Sequence, residues 1–426
     1  MAVSQVQSYP DWLAQLFGFI GVSLPDDFLL FQWAVILFTA IAIVGQAAVV
    51  FMVLMERKVL AWLTQRIGPN RVGPFGLLQT LADGVKLLFK EDIMTRDQDK
   101  LLFTLGPALF FLPCFVVYAL IPFTSELLAI ALPTGALLFF ALSSISVIGI
   151  VISGWASNNK YSLLGGMRSA AQAISYEIPL VLAVLAVVLY AGTMNIRDII
   201  EMQNNGAFGF PFGFISWFSI WLFPLSFIIF FISSIAEVNR IPFDLPEAES
   251  ELVSGYNTEY TGMKFATFFL AEYAALFAMG ALTVCFFFGG YYSPLGGLLS
   301  ETLKIDVILQ SLIGIDGFAG LVRQLEMISW MMLKTYIFIF VAMWIRGSLP
   351  RLKPDELMGF SWKFLIPLSL INIFMIAIQK YWHVTSDLTF GLAWAAVLVL
   401  GVGGFCVMMS RHFTAKLEER FKPALT

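Results

Sequence analysis

The sequence predicts an all-α polytopic membrane protein with about nine transmembrane helices and an amphipathic helix on the cytoplasmic side. Three observations carry that prediction. Of 426 residues 59% are hydrophobic and 13% charged, with a mean hydropathy of +0.84, whereas a soluble domain has about 25% charged residues. Apolar runs of membrane-crossing length recur along the chain, and Lys and Arg collect in alternate connections.

The runs fall at about 30 to 55, 101 to 122, 135 to 154, 170 to 191, 215 to 236, 264 to 288, 327 to 346, 363 to 379 and 386 to 409. About 20 apolar residues cross a hydrocarbon core roughly 30 Å thick. The runs are too long and too evenly apolar for barrel strands, and backbone in lipid must bond to itself, so helices are required. The chain reads as one transmembrane unit over 1–426, without soluble domains. No basic region precedes the first run, so a cleaved signal peptide is not expected.

Orientation follows from the cations. The first connection holds Arg57, Lys58, Arg66, Arg71, Lys86, Lys90, Arg96 and Lys100; the third Lys160 and Arg168; the fifth is bounded by Arg240 and Lys264. The seventh adds Arg346, Arg351, Lys353 and Lys363, and the tail Arg411, Lys416, Arg420 and Lys422. The other side has Arg197, Lys304, Arg323 and Lys380. The N-terminus is therefore expected outside and the C-terminus in the cytoplasm, which requires an odd number of spans.

Several chemistries lack support. Cys114, Cys285 and Cys406 lie in apolar stretches without CxxC spacing, and His383 and His412 are isolated. A zinc or iron-sulfur site needs about four clustered ligands. No GxGxxG or P-loop motif is present, so no nucleotide cofactor is expected on this chain, and nothing points to nucleic acid.

In the first cytoplasmic connection, Phe75 to Lys90 reads as a helix with Leu78, Leu81, Val85 and Leu88 on one stripe and Asp83, Lys86 and Lys90 on another. Such a helix lies along the inner membrane surface. A plain anchor explains these residues as well as a functional role does. Before it, Gly68-Pro69 and Gly73-Pro74 stiffen a turn that also carries Arg66 and Arg71.

Polar residues within the spans are more telling. Glu177 lies in the fourth run, Glu237 at the inner end of the fifth and Glu272 in the sixth, Glu177 and Glu272 each about eight residues from the expected inner helix start. A central acid costs roughly 2.5 to 3.5 kcal/mol on insertion scales, so each needs a polar surrounding, a partner or a proton. Lys334 in the seventh run is a candidate opposite charge. Structural ion pairing is one reading, and a proton relay is the other.

The fifth connection, Glu237 to Tyr260, carries Glu237, Asp244, Glu247, Glu249, Glu251 and Glu259 against Arg240. Interleaved Phe243, Leu245, Leu252, Val253, Tyr256 and Tyr260, with two prolines, favour packing over a solvated linker. Closely packed acids cannot all ionise where water is scarce, so their proton occupancy responds to any charge appearing beside them. The connection is expected to act as a proton-occupancy switch.

The segment Ala236-Glu-Val-Asn-Arg-Ile-Pro-Phe-Asp-Leu-Pro-Glu-Ala-Glu-Ser-Glu-Leu-Val-Ser-Gly-Tyr-Asn-Thr-Glu-Tyr260 resembles the signature of the H subunit of bacterial NADH-quinone oxidoreductase, the subunit 1 family of respiratory complex I. Glu56-Arg-Lys, Arg66 to Gln79, Ala82 to Glu91, Asn159 to Ile178 and Pro350 to Met358 resemble it too. The resemblance covers about 30 to 380, with the run at 386 to 409 as an addition. It implies a membrane subunit of a proton-translocating enzyme, forming most of a quinone entry tunnel and the start of an acidic, hydrated path. It places the tunnel mouth at Arg57, Arg66, Asp83 and Lys86, faced by Phe269, and the path at Glu177, Glu237, Asp244, Glu247, Glu249, Glu251 and Glu272. Arg168 and Arg240 match its charged partners. Quinone is then the substrate, this chain holds no redox centre, and FMN and iron-sulfur clusters belong to partner subunits. The expected partners are the other membrane and peripheral subunits of complex I and the lipid of a bacterial plasma membrane.

Two other classes remain open on the sequence. An autonomous transporter, or the ion-binding subunit of a membrane hydrogenase, is disfavoured by the lack of visible pseudo-repeats and by the full Pro242 to Val253 run. A passive scaffold predicts that replacing these acids with amides leaves turnover untouched.

Overall fold

The computed structural model describes residues 26–125, 128, 132–204, 223–245, 253–294 and 318–381, and among these every regular element is helical. In chain order the α-helices are α1 (Asp26–Leu63), α2 (Gln79–Phe89), α3 (Lys100–Val116), α4 (Gly135–Ala156), α5 (Lys160–Ala191) and α6 (Ile196–Asn204). They continue as α7 (Pro224–Glu237), α8 (Gly262–Phe287), α9 (Phe318–Ser348), α10 (Pro354–Phe360) and α11 (Ile366–Tyr381).

Among the described residues six stretches are long and apolar enough to cross a membrane: Lys100–Leu120, Gly135–Ala156, Lys160–Ala191, Gly262–Phe287, Arg323–Ser348 and Pro354–Tyr381. The last joins α10 and α11 through a π-helical turn at Ser361–Leu365. Helix α7 is apolar but shorter, and the first expected run falls within the 38-residue α1. The expected run at 386 to 409 lies outside the described residues, as do Glu247, Glu249, Glu251, Cys406, His383 and His412.

Local chemistry sets the helix ends. Asp99 caps α3 by accepting from the amides of Leu101 and Leu102, and Asn159 caps α5 by accepting from Tyr161 at 3.0 Å. Helix α5 closes on Gly192 in the left-handed region, φ 75°, whose amide donates to Val188 at 2.8 Å. Helix α5 also begins well before the apolar run at 170, because its first turns are polar. Glu177 therefore stands farther along its helix than the expected eight residues. The surface helix is shorter than expected: Phe75 sits at φ 54° in a separate turn, Pro74–Gly76, and α2 starts at Gln79.

Helix α8 is the centre of the bundle. Of the six stretches its most apolar 18 residues are the most buried, 78% of them, and it packs on α1, α2, α3, α6, α7 and α9. Lipid tails are as apolar as Leu, so close van der Waals packing rather than water expulsion joins such helices. Small residues permit it: a Cβ at Gly149 of α4 would lie 2.6 Å from the Phe110 nitrogen of α3. Large rings fill the remainder, with Phe103, Phe230, Phe268, Phe277 and Phe286 all fully buried.

Candidate functional site: a buried chain of acids and its cationic anchors

Near one end of the bundle, charges from distant parts of the chain converge. Glu56 of α1 is 3% exposed and accepts from Arg240, at 3.3 and 3.4 Å, and from Arg346 at the end of α9. The Arg240 guanidinium also lies 4.2 Å over the Tyr273 ring, an arrangement that stabilises a desolvated cation. Beyond α7, Asp244 is 6% exposed and pairs with Arg351 at 3.1 Å. The Leu352 amide donates to the Pro242 carbonyl at 3.1 Å. Buried Gln172 of α5 donates to the carbonyls of Ala236 and Phe243, and the Tyr176 hydroxyl donates to Leu357 at 2.9 Å. The described part of the acidic connection is thus packed against α5 and the segment after α9.

Deeper in the bundle, a cavity of about 50 Å³ lies among α3, α4, α5, α7 and α8. Glu237 and Glu272 both line it, with Ser143, Ser146 and Asn239. Glu237 Oε2 and Asn239 Oδ1 are buried without a protein donor among the described residues. Buried acceptors need a partner, and a cavity of more than about 15 Å³ admits water. Glu177 lies close enough to Glu237 for the two charges to interact, and Ser144 of α4 donates to Glu177. On the other wall the Tyr256 hydroxyl donates to Glu272 at 2.8 Å. Two of the three expected acids, Glu237 and Glu272, therefore line one cavity, and Glu177 stands near enough to Glu237 to act on it, although their helix positions differ.

The remaining candidates lie elsewhere. Lys334 is 8% exposed and donates to the carbonyls of Phe288, Gly290 and Tyr292 at 2.7 to 2.8 Å, at the C-terminal end of α8. Three carbonyls of the cap and turn that follow α8 thus surround the ammonium, satisfying a buried lysine with charge-assisted hydrogen bonds. Glu259 accepts from Asn159 at 2.7 Å and lines an open polar recess with Asp97 and Lys160. Arg168 is half-buried in the first half of α5.

At the surface helix, Arg57 of α1 pairs with Asp83, which also accepts from Gln79 at 3.1 Å. Arg66 and Lys86 are exposed, and Phe269 is half-buried with its ring 4.6 Å from that of Phe265. None of the residues of α2 is buried, and Leu81, Val85 and Leu88 form an exposed apolar stripe. Helix α2 packs on α1 and α8, and the chain after it is tied to the start of α8 by Lys264 and Asp92, 2.9 Å apart. Among the described residues no group of three or more His, Cys, Asp or Glu could hold a metal ion, and Cys114 and Cys285 are buried and free.

Glu56, Arg346, Arg351, Ser144 and the Tyr256 hydroxyl are site groups to which the sequence assigns no role at the site. Glu56 carries a signal, being an acid at the inner end of an apolar run. Arg346 and Arg351 show in the sequence only as cations that orient the chain.

Fold and site together define a polytopic helical membrane protein that keeps carboxylates, and the cations that hold them, inside its bundle. Residues 35–377 match the NADH dehydrogenase family. The chain is 46% identical over 355 residues to the H subunit of NADH-quinone oxidoreductase from Brevibacillus brevis, covering 82% of this chain and 94% of that protein. It is 45% identical to the corresponding H subunit of Geobacillus kaustophilus, over 79% and 90% of the two chains, and 44% identical to that of Bacillus cytotoxicus, over 84% and 96%. The chain belongs to this family, the H subunits of NADH-quinone oxidoreductase.

Proposed function

We propose that this chain admits quinone from the bilayer and passes the charge change of quinone reduction into a proton path. Arg57, Arg66, Asp83, Lys86 and Phe269 border the entry, beside the apolar stripe of α2. Asp244, Glu247, Glu249 and Glu251 sense the reaction, and Glu237, Glu272 and Glu177 carry the change into the membrane. The observation that carries the reading is the cavity on which Glu237 and Glu272 converge, with Glu177 beside them.

Reduction of a quinone to a quinol takes two electrons and two protons. Neighbouring subunits supply the electrons, from flavin and iron-sulfur centres. Protons drawn toward the quinone leave negative charge near the acidic connection. Ionising one carboxylate beside another is opposed by their repulsion, so occupancy redistributes along the row. The cavity leaves room for water between Glu237 and Glu272, and the Glu56, Arg240 and Arg346 group holds the inner end in place. Each charge moved against 100 mV costs about 2.3 kcal/mol. The chain is placed in a bacterial plasma membrane, N-terminus outside and C-terminus in the cytoplasm.

Proteoliposomes of the whole complex test this. Glu237→Gln and Glu272→Gln are each expected to lower the number of protons moved per NADH oxidised at least twofold. Full proton transport in both variants would discard the path.

A further inference from the structure

Tyr256 stands where the acidic connection meets the membrane-embedded acids. Its side chain is fully buried, with the ring edge-on to Phe268 at 5.3 Å and to Phe110 at 6.5 Å. Its hydroxyl reaches Glu272 at 2.8 Å. A phenylalanine would fill the same space, whereas a buried hydroxyl loses its hydration and needs a bond in return. The hydroxyl is therefore placed for Glu272 and not for packing.

The backbone around Tyr256 is held just as closely. Ser162 of α5 donates to the Tyr256 carbonyl at 3.2 Å. Gly255 stands at φ 59°, and a Cβ on Gly165 would lie 2.6 Å from the Gly255 Cα. Only a glycine at 165 lets α5 and this turn touch. The turn at Gly255–Asn257 thus sits on α5 while its side chain bonds an acid of α8, with the acidic residues just before it in sequence. A phenol can donate to a carboxylate or to the carbonyl oxygen of a carboxylic acid, or accept from the acid's hydroxyl, so a bond between the two is available in both protonation states.

We propose that Tyr256 is the positioning residue for Glu272, holding that carboxyl on the cavity wall and tying its proton exchange to the turn that ends the acidic connection. The inference rests on the path proposed above. It predicts that displacement of the connection by quinone chemistry reaches Glu272 through one hydrogen bond.

The test compares redox-induced infrared difference spectra of the purified complex with proton transport in proteoliposomes reducing a short-chain quinone. The carboxyl band that disappears in Glu272→Gln identifies the acid. In Tyr256→Phe, which keeps the ring, that band is expected at higher frequency, and protons moved per NADH are expected to fall at least twofold. Glu272→Asp, which draws the carboxyl back from the phenol, is expected to lower the same ratio and serves if Tyr256→Phe does not assemble. A transport ratio unchanged in the variant that assembles, an unmoved band, or no band that Glu272→Gln removes would each overturn the role. If Glu272→Gln uncouples the enzyme while Tyr256→Phe does not, the path stands and the role of Tyr256 falls.

Discussion

Glu56 shows what a single buried charge does here. Its side chain is 5% exposed and meets two guanidinium groups. Removing one partner of a buried ion pair typically costs about 3 to 5 kcal/mol, because the remaining charge is left uncompensated. Glu56→Gln is expected at the lower end of that range, since Arg346 keeps 27% of its side chain exposed. Less assembled complex on a native gel, and a lower melting temperature for what assembles, would be the outcome. Asp83→Asn provides the contrast. The Arg57 and Asp83 side chains are 45% and 31% exposed, and water screens such pairs, so stability should change by less than about 1 kcal/mol. If these two residues border the quinone entry, the KM for quinone should rise instead, and an unchanged KM would remove them from it. Residue identity alone discloses that Glu177, Glu237 and Glu272 are unusual, because an acid in an apolar run is conspicuous. It cannot disclose their partners. Glu56 meets Arg240 and Arg346 from 184 and 290 positions away, a pairing that only tertiary folding creates.

At the scale of elements, the packing of α5 and the capping of α8 make the sharpest demands. A methyl group at Gly165 collides with the Gly255 backbone rather than with a movable side chain. Gly165→Ala is therefore expected to destabilise the protein by about 1 to 3 kcal/mol, the usual cost of overpacking, and to lower coupling more than quinone reduction. Thermal melts alongside proton-transport ratios would check this, and wild-type behaviour in both would refute it. At the other end of α8, Lys334→Met withdraws a donor from three carbonyls, with an expected cost of about 1 to 3 kcal/mol in the same melts. Helix existence is legible in hydropathy, but helix extent is not. The first turns of α5, from Lys160 to Arg168, are too polar for a hydropathy window, yet Asn159 caps them and the acidic connection packs on them. The surface helix starts four residues later than its apolar periodicity suggests, because that periodicity continues through Phe75, whose left-handed backbone it does not disclose.

For the whole molecule the open question is what lies past the family match, which ends at residue 377. Relatives are covered over 90 to 96% of their length while this chain is covered over 79 to 84%, so part of this chain has no counterpart in them. The run at 386 to 409 is long enough to cross the membrane once more. On the proposed orientation Arg411, Lys416, Arg420 and Lys422 stay in the cytoplasm, so a span at 386 to 409 is expected to begin outside, with Lys380 and Tyr381 on that side. Two reporter fusions read this directly. A fluorescent protein, which matures only in the cytoplasm, is expected to be bright after Thr426 and dark after Tyr381. An alkaline phosphatase, active only outside, is expected to show the reverse. Two cytoplasmic results would remove the last span, and two outside results would invert the charge argument. The chain ended at Tyr381 keeps the whole matched region, so it should still assemble with its partners and support quinone reduction within about twofold of the full chain. Loss of assembly would instead give the added span a structural role that the family region cannot supply.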